Sequence, residues 1–259
     1  MQGEGLPALW CATTPCGESA ALAQFLTSEQ GSVWARAPGL LKQGSKLAPF
    51  LQYGDELLIR LVGGKSGMPV LAGVSVARSH PEWRASLPHL SLLWFMLESS
   101  ALASGTPRAN EASYQLLVNL IRSAPDAAAL PAALCAFCLK MLAIHGLLPD
   151  LIYCAESGQP FAADEPAFLL PSGEGLIGRD AYNEKYARSS ANLIRLDAPR
   201  RQRWLTLLHG ALLRYGERGC DSTDALTLLE LCARLVGETA GKELGSAMHL
   251  RRTIEGRNK

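Results

Sequence analysis

YGDELLIRLVGGKSGMPVLAGVSVAR, residues 53–78, is the stretch on which the fold turns. Its two ends, Tyr53–Val62 and Val70–Arg78, are rich in Leu, Ile and Val and have strand length. Gly63–Gly64–Lys65–Ser66–Gly67 between them reads as a hairpin tip. Gly64–Lys65–Ser66 is superficially like the end of a phosphate loop. The leading glycine is absent at the spacing such a loop needs, and a strand follows instead of a helix. Toward the N-terminus come three more short strand patterns, Leu6–Thr13, Ala20–Leu26 and Gly31–Arg36. Turn signals separate them at Pro15–Cys16–Gly17, Glu29–Gln30–Gly31, Gly39, Gly44 and Gly54–Asp55. Five short strands in roughly 80 residues predict a small closed barrel, of which the OB-fold is the commonest five-stranded form.

Beyond residue 85 the pattern turns helical. Leu87–Leu102 has apolar residues at Leu90, Leu93, Trp94, Leu97 and Ala101. Arg108–Ser123 puts Tyr114, Leu117, Val118 and Ile121 on one face. Leu130–His145 is apolar nearly all round, which predicts the buried helix of a bundle, ended by Gly146 and Pro149. Residues 154–184 hold several Gly and Pro without a period and read as an irregular insertion. Pro199–Tyr215 and Ser222–Thr239 are two further amphipathic helices, the second with the N-cap cluster Asp221–Ser222–Thr223–Asp224. The expected class is therefore α+β: an OB-fold barrel over 1–85, then an α-helical domain over 86–259 interrupted at 154–184.

Charge divides the chain more sharply than composition does. The net charge of the 259 residues is only +1, with 48% apolar residues. That excludes a largely disordered chain and a uniformly basic coat for nucleic acid. Residues 1–85 carry +1, residues 86–184 carry −6 and residues 185–259 carry +6. Such asymmetry calls for a partner, or for mutual neutralisation of packed segments. No run has the roughly 18 apolar residues of a membrane helix, and the start lacks a basic leader. Seven cysteines in such a chain read as reduced thiols of the cytoplasm.

Motifs of catalysis are missing. There is no G-x-S-x-G, no Walker loop and no H-E-x-x-H, and the five histidines are scattered. Cys135-x-x-Cys138 lies inside an apolar helix, where the two thiols serve as small hydrophobes. An enzyme, a resident cofactor and a metal centre are all unexpected.

One long segment carries a resemblance. Phe137–Cys154, FCLKMLAIHGLLPDLIYC, has a helix, a Gly, then Pro-Asp-Leu and a Cys. It resembles a signature of the RecO family of bacterial recombination-repair proteins. The N-terminal third agrees. Gly17-Glu18-Ser19, Leu22, Phe25-Leu26-Thr27, Glu29 and Gly31 resemble the family's first hairpin. Ala35-Arg36, Ser45-Lys46-Leu47, Pro49-Phe50 and Gly54-Asp55-Glu56-Leu57 follow in the family's order. Gly241-Lys242-Glu243-Leu244 is similar to a worn version of its final motif. The resemblance implies an N-terminal OB-fold, a helical bundle and a loop that often binds zinc through two C-x-x-C pairs. Here the first pair has become Cys154-Ala-Glu-Ser157-Gly158 and the second Gly175-Leu-Ile-Gly178, so no zinc is expected.

The family also implies binding of single- and double-stranded DNA and annealing of strands coated by single-stranded DNA-binding protein (SSB). With RecR as partner, it implies help in loading RecA, in the cytoplasm at the nucleoid. Phosphate contact needs Lys and Arg on one surface. The barrel offers Arg36, Lys42 and Lys46 around one loop, with Arg60, Lys65, Arg78 and Arg84 beyond it. Trp34 beside Arg36 is either a stacking platform or core. A second cluster, Arg195, Arg200, Arg201 and Arg203, stands beside Trp204 at a helix start, where cations oppose the helix dipole. These arginines face either phosphate or an acidic partner, or else the acidic middle segment. Arg251, Arg252, Arg257 and Lys259 read as a basic tail. The SSB tail implied by the resemblance is acidic and ends in an apolar residue with a free carboxylate, so it wants an apolar groove with a cation at one end. Arg122 and Lys140 are the candidates there. A protein-interaction adaptor that keeps the fold without binding DNA is the alternative.

Overall fold

The computed structural model describes residues 5–64, 67–103, 105–187, 193–210 and 219–256. They form two compact units, one of residues 1–130 with 236–259 and one of residues 131–235.

The first unit is built on a closed barrel of β1 (Leu6–Pro15), β2 (Ala21–Thr27), β3 (Gly31–Ala37), β4 (Glu56–Val62) and β5 (Val70–Arg78). The strand order is β1-β2-β3-β5-β4, and β4 closes back onto β1. All neighbours are antiparallel except β3 and β5, which meet in parallel at Arg36 and Val70. This is the OB-fold topology expected from the sequence. Alternation decides which side chains fill the interior. Ala21, Ala23 and Phe25, then Ala35 and Ala37, then Leu57 and Ile59 point inward and are buried. Alanine recurs because the bore of a five-stranded barrel is narrow. The opposite faces leave Trp34, Arg36, Leu58 and Arg60 exposed. The register of β1 slips between Trp10 and Ala12, a bulge that re-aims the strand around Cys11.

Three helices complete this unit: α1 (Leu87–Leu102), α2 (Pro107–Ser123) and α7 (Gly245–Gly256). Ser86 and Thr106 cap the first two through their hydroxyls. The chain enters α1 through a short 3₁₀ turn, Pro81–Arg84, whose Trp83 is fully buried and donates Nε1–H to the Ile121 carbonyl at 2.8 Å. Of the expected basic tail, Arg257 and Lys259 lie outside the described residues, and Arg251 and Arg252 lie exposed on helix α7. Leu250 and Ile254 are its buried residues, too few apolar positions to register as a period. Glu98 of α1 accepts from the Gly245 and Ser246 N–H groups and the Ser246 hydroxyl, so the start of α7 is capped from another helix.

The second unit contains α3 (Leu130–Ile144), α5 (Ala198–His209), most of α6 (Ser222–Ala240) and a small sheet. Helix α3 is buried over most of its surface, as its unbroken apolar content predicts. The sheet orders β7 (Leu176–Ile177), β6 (Ala167–Leu169) and β8 (Ile194–Leu196), with a helical turn α4 (Arg179–Ala181) between β7 and β8. The insertion is thus more regular than its sequence, because strands of two or three residues carry no readable period. The helix expected over 199–215 is α5, which begins behind the N-cap Asp197 and ends at Gly210; residues 211–218 lie outside the described ones.

Gly31 connects the barrel to α2. It turns between β2 and β3 at φ +66°, and a Cβ placed on it would stand 2.6 Å from the Asn110 carboxamide. Asn110 cannot retreat easily, because it accepts from the Gly105 N–H and donates to the Gly105 carbonyl. Gly31→Val combines that clash with a left-handed backbone, which alone costs about 1–3 kcal/mol for a residue with a side chain. The expected outcome is a lower melting temperature by several degrees, read by circular dichroism, while Gly17→Ala in an open turn loses less.

Candidate nucleic-acid interface

The first question about any cation is whether the protein has already used it. In the barrel the answer is no for the principal candidates. Arg36 leaves the outward side of β3 and is exposed, with its backbone N–H bound to the Pro69 carbonyl at 2.8 Å. Lys42 and Lys46 are exposed on the loop from β3 to the short helical turn Ala48–Phe50. That loop is a succession of turns. The Leu41 N–H reaches the Ser19 carbonyl, Lys42 N–H the Gly39 carbonyl and Ser45 N–H the Lys42 carbonyl, while the Ser45 hydroxyl accepts from Leu47 and Ala48 N–H groups. Its ammonium groups are therefore carried on ordered backbone. Arg60 and Arg78 are also exposed, on β4 and β5, and Arg60 leans across to the Ala72 carbonyl at 3.4 Å. Arg36, Arg60 and Arg78 thus stand on the continuous wall β3-β5-β4. Lys65 lies outside the described residues.

Arg84 is different. It donates to the Tyr53 carbonyl and to Asp55 at 2.9 Å, and Asp55 is buried and also receives the Ser79 hydroxyl and the His80 N–H. The neighbouring carboxylate, Glu56, is buried too and takes a bidentate pair from Arg122 at 2.8 and 2.6 Å and a bond from His80 at 3.1 Å. Burial works against the charge on Glu56. Hydrogen bonds and charge from Arg122 and His80 outweigh it and hold the carboxyl below its ordinary range. Arg122 is therefore committed inside its own unit.

The second cluster is consumed as well. Asp224 of α6, only 1% exposed, gathers the Arg200 guanidinium, Arg203 at 3.2 Å and the Trp204 indole N–H at 3.2 Å. Arg200 also donates to the Thr227 hydroxyl and lies over the Trp204 ring. Arg201 is buried against Phe161 and donates to the carbonyls of Leu151, Ala162 and Glu165. Burial lowers its pKa below the ordinary guanidinium value. The arginines at the start of α5 are thus held internally, two by a carboxylate far along the chain and one by backbone of the insertion. Of that cluster Arg195, on β8, is exposed. Lys140 donates to the Leu208 and Gly210 carbonyls at 2.6 and 3.0 Å, near the end of α5.

Sequence reasoning missed a cleft in the second unit. It has a volume of about 760 Å³ and a lining in which Ile152, Phe161, Pro166 and Leu205 are apolar, with Arg179 and Arg195 and the carboxylates of Asp164 and Asp197 at its exposed border. Arg179 was visible as a cation of the acidic middle, but nothing local marked the apolar residues that surround it.

Cys154 tests the family's zinc loop. Its thiol accepts the Gly178 N–H at 3.4 Å, and its backbone folds into a tight turn, with Gly158 N–H bound to the Cys154 carbonyl. Burial pushes the thiol up, but hydrogen bonds from the Ser157 hydroxyl and from the Ser157, Gly178 and Glu156 amides bring it below the ordinary value. The turn has a knuckle's hydrogen bonds but only one sulfur. Ser157, Gly175 and Gly178 add no thiolate, so the donor set does not fit a tetrahedral zinc. Among the described residues no group of three or more His, Cys, Asp or Glu could hold a metal ion. Likewise among them, no helix is long and apolar enough to cross a membrane.

Comparison with known proteins follows the same lines. Residues 89–215 match the family model described as Recombination protein O C terminal. The chain is similar to the DNA repair protein RecO of Dehalococcoides mccartyi (strain ATCC BAA-2266 / KCTC 15142 / 195), 28% identical over 172 residues, 66% of each chain. It is similar to that of Anaeromyxobacter dehalogenans (strain 2CP-C), 31% identical over 168 residues, 62% of this chain and 64% of the relative. With that of Bacillus pumilus (strain SAFR-032) it shares 25% identity over 193 residues, 71% of this chain and 72% of the relative. The matched stretch covers just under two thirds of the length of the first two.

Two outcomes follow from the paired charges. Asp224→Ala strands Arg200 in a largely buried site, and loss of one partner of such a pair costs about 3–5 kcal/mol. Denaturant unfolding followed at Trp204 should register a loss of that size. Glu56 stabilises the fold above the pKa it has when unfolded, about 4.3. That contribution is lost as pH falls from there through its lower folded value. Melting temperature against pH should therefore drop below about pH 4.3, and Glu56→Gln should flatten that part of the curve.

Proposed function

Because the chain belongs to the RecO family of DNA repair proteins, we propose that it binds single- and double-stranded DNA through its barrel and anneals complementary strands. The observation that carries this reading is the division of its cations. Arg84, Arg122, Arg200, Arg201 and Arg203 are spent on internal partners, whereas Arg36, Lys42 and Lys46 stand exposed together around one ordered loop.

Annealing needs no covalent chemistry, which accords with the lack of a catalytic motif in the sequence. Cations that neutralise phosphates on two strands lower their repulsion and raise their local concentration, and base pairing supplies the free energy. In this reading the protein works on SSB-coated strands in the cytoplasm, at the nucleoid, and with RecR promotes RecA loading. An acidic SSB tail ending in an apolar side chain and a carboxylate would suit the cleft bordered by Arg179 and Arg195 better than Arg122 or Lys140. Both of the latter already serve protein acceptors.

The test is annealing of complementary strands coated with cognate SSB, across a salt series. Acceleration that fades with salt is expected. Replacing Arg36, Lys42 and Lys46 together by Ala should lower the magnitude of the slope of log affinity against log salt by about 2, at roughly 0.7 per phosphate contact on single strands. Failure of the full chain to bind any DNA at low salt would leave the adaptor reading in its place.

A further inference from the structure

The outer face of the barrel carries a groove that the basic loop does not explain. It lies within the first unit and has a volume of about 680 Å³. Gln24 and Trp34 come from β2 and β3, Tyr53 from the loop before β4, Trp94 from α1, and Lys242 and His249 from the C-terminal segment. Three aromatic rings on one groove is an unusual concentration for a chain that is 7% aromatic.

Packing fixes the rings. Trp10 stacks on Tyr53 with centroids 4.3 Å apart and planes 15° from parallel. Trp10 is itself held by bonds from its indole N–H to the Ala12 carbonyl and the Thr13 hydroxyl, both at 3.0 Å. Tyr53 in turn meets Trp94 edge-on at 5.9 Å. Trp34 is 38% exposed. Alternation turns it outward, directly opposite Gln24 on the neighbouring strand.

The polar groups around the rings are sorted between buried and exposed ones. The Trp94 indole N–H is buried and has no hydrogen-bond partner. Gln24 spends its amide N–H on Ser32 at 2.8 Å, which leaves its carbonyl oxygen to accept. The carboxylate on the groove, Glu98, is occupied by the start of α7. Lys242 and His249 are exposed on the far side. Flat apolar faces, an acceptor, and a cation, with Glu98 the one carboxylate among the lining residues, are what an unstacked nucleobase and its phosphate require.

We propose that this groove seats a base of single-stranded DNA, stacked on Trp34, with Lys242 toward its phosphate. The inference rests on the DNA-binding reading above and deepens it. Trp34 and Arg36 share the outward side of β3, about 7 Å apart along the strand. A DNA strand held at Arg36 by its phosphate therefore brings a neighbouring base to the aromatic groove. Duplex DNA, whose bases are stacked and paired, leaves the groove empty.

The test compares a fifteen-nucleotide thymidine strand with an abasic deoxyribose-phosphate strand of the same length, binding to the full chain at low salt by fluorescence anisotropy. The thymidine strand should bind at least about fivefold more tightly, the low end of what stacking on an aromatic ring contributes. Trp34→Ala should remove that preference and leave abasic affinity unchanged, which also shows that the variant is folded. Trp94→Phe should reduce the preference in part, and Arg36→Ala should weaken both strands alike. Equal binding of both strands by the unaltered protein overturns the base site and leaves DNA binding standing. A Trp34→Ala loss shared equally by both strands overturns it too. Absence of binding to either strand overturns the DNA-binding reading and this site with it.

Discussion

Two adjacent carboxylates, Asp55 and Glu56, are buried at the start of β4, and the first unit is arranged to satisfy them. A buried carboxylate left alone costs several kcal/mol, so a fold can keep it only by bringing donors to it. Asp55 takes Arg84, Ser79 and the His80 N–H. Glu56 takes Arg122 and the His80 ring. These donors lie on the link from β5 to α1 and on the last turn of α2. Binding them fixes the 3₁₀ turn, seats Trp83 beneath the Ile121 carbonyl, and docks α1 and α2 on the barrel. The groove beside Trp34 exists because α1 is held there.

The same economy sorts the arginines of both units. Those near a buried acceptor are drawn in, and the dipole cost of cations at the start of α5 is met by Asp224 and by carbonyls of the insertion. Cations without such an acceptor stay outside, among them those at the β3 end, on its following loop and on the β3-β5-β4 wall. Surface charge available for phosphate is what remains after internal pairing. A near-neutral chain can therefore still present a basic site, because pairing is local and net charge is an average.

The insertion is held by short-range hydrogen bonds and by apolar contact. The Cys154 thiol accepts from the Gly178 N–H, and β6, β7 and β8 pair through residues 167–169, 176–177 and 194–196. Leu169, Leu176, Ile177 and Leu196 are buried there, so apolar burial contributes to the stability of these short strands.

Local periodicity was enough to place all five barrel strands to within a few residues, along with α1, α2, α3 and α6, because alternation and helical spacing are written in consecutive residues. It was also enough to nominate Arg36, Lys42 and Lys46, which share one acid-free loop. It could not find α7, with its two buried apolar residues, or the sheet strands of two or three residues. Nor could it separate Arg36 from Arg122 or Arg200, since their chemistry as side chains is the same. That distinction depends on acceptors far away in sequence. Arg122 meets Glu56 across 66 positions, and Arg200 meets Asp224 across 24. The aromatic groove is the same case, with Trp34, Tyr53, Trp94 and Lys242 dispersed over the chain until the barrel and helices pack. Sequence by itself determined the barrel strands, the long periodic helices and the supply of charge; tertiary structure alone decided which charges were spent and which rings met, because both depend on distances that only packing sets.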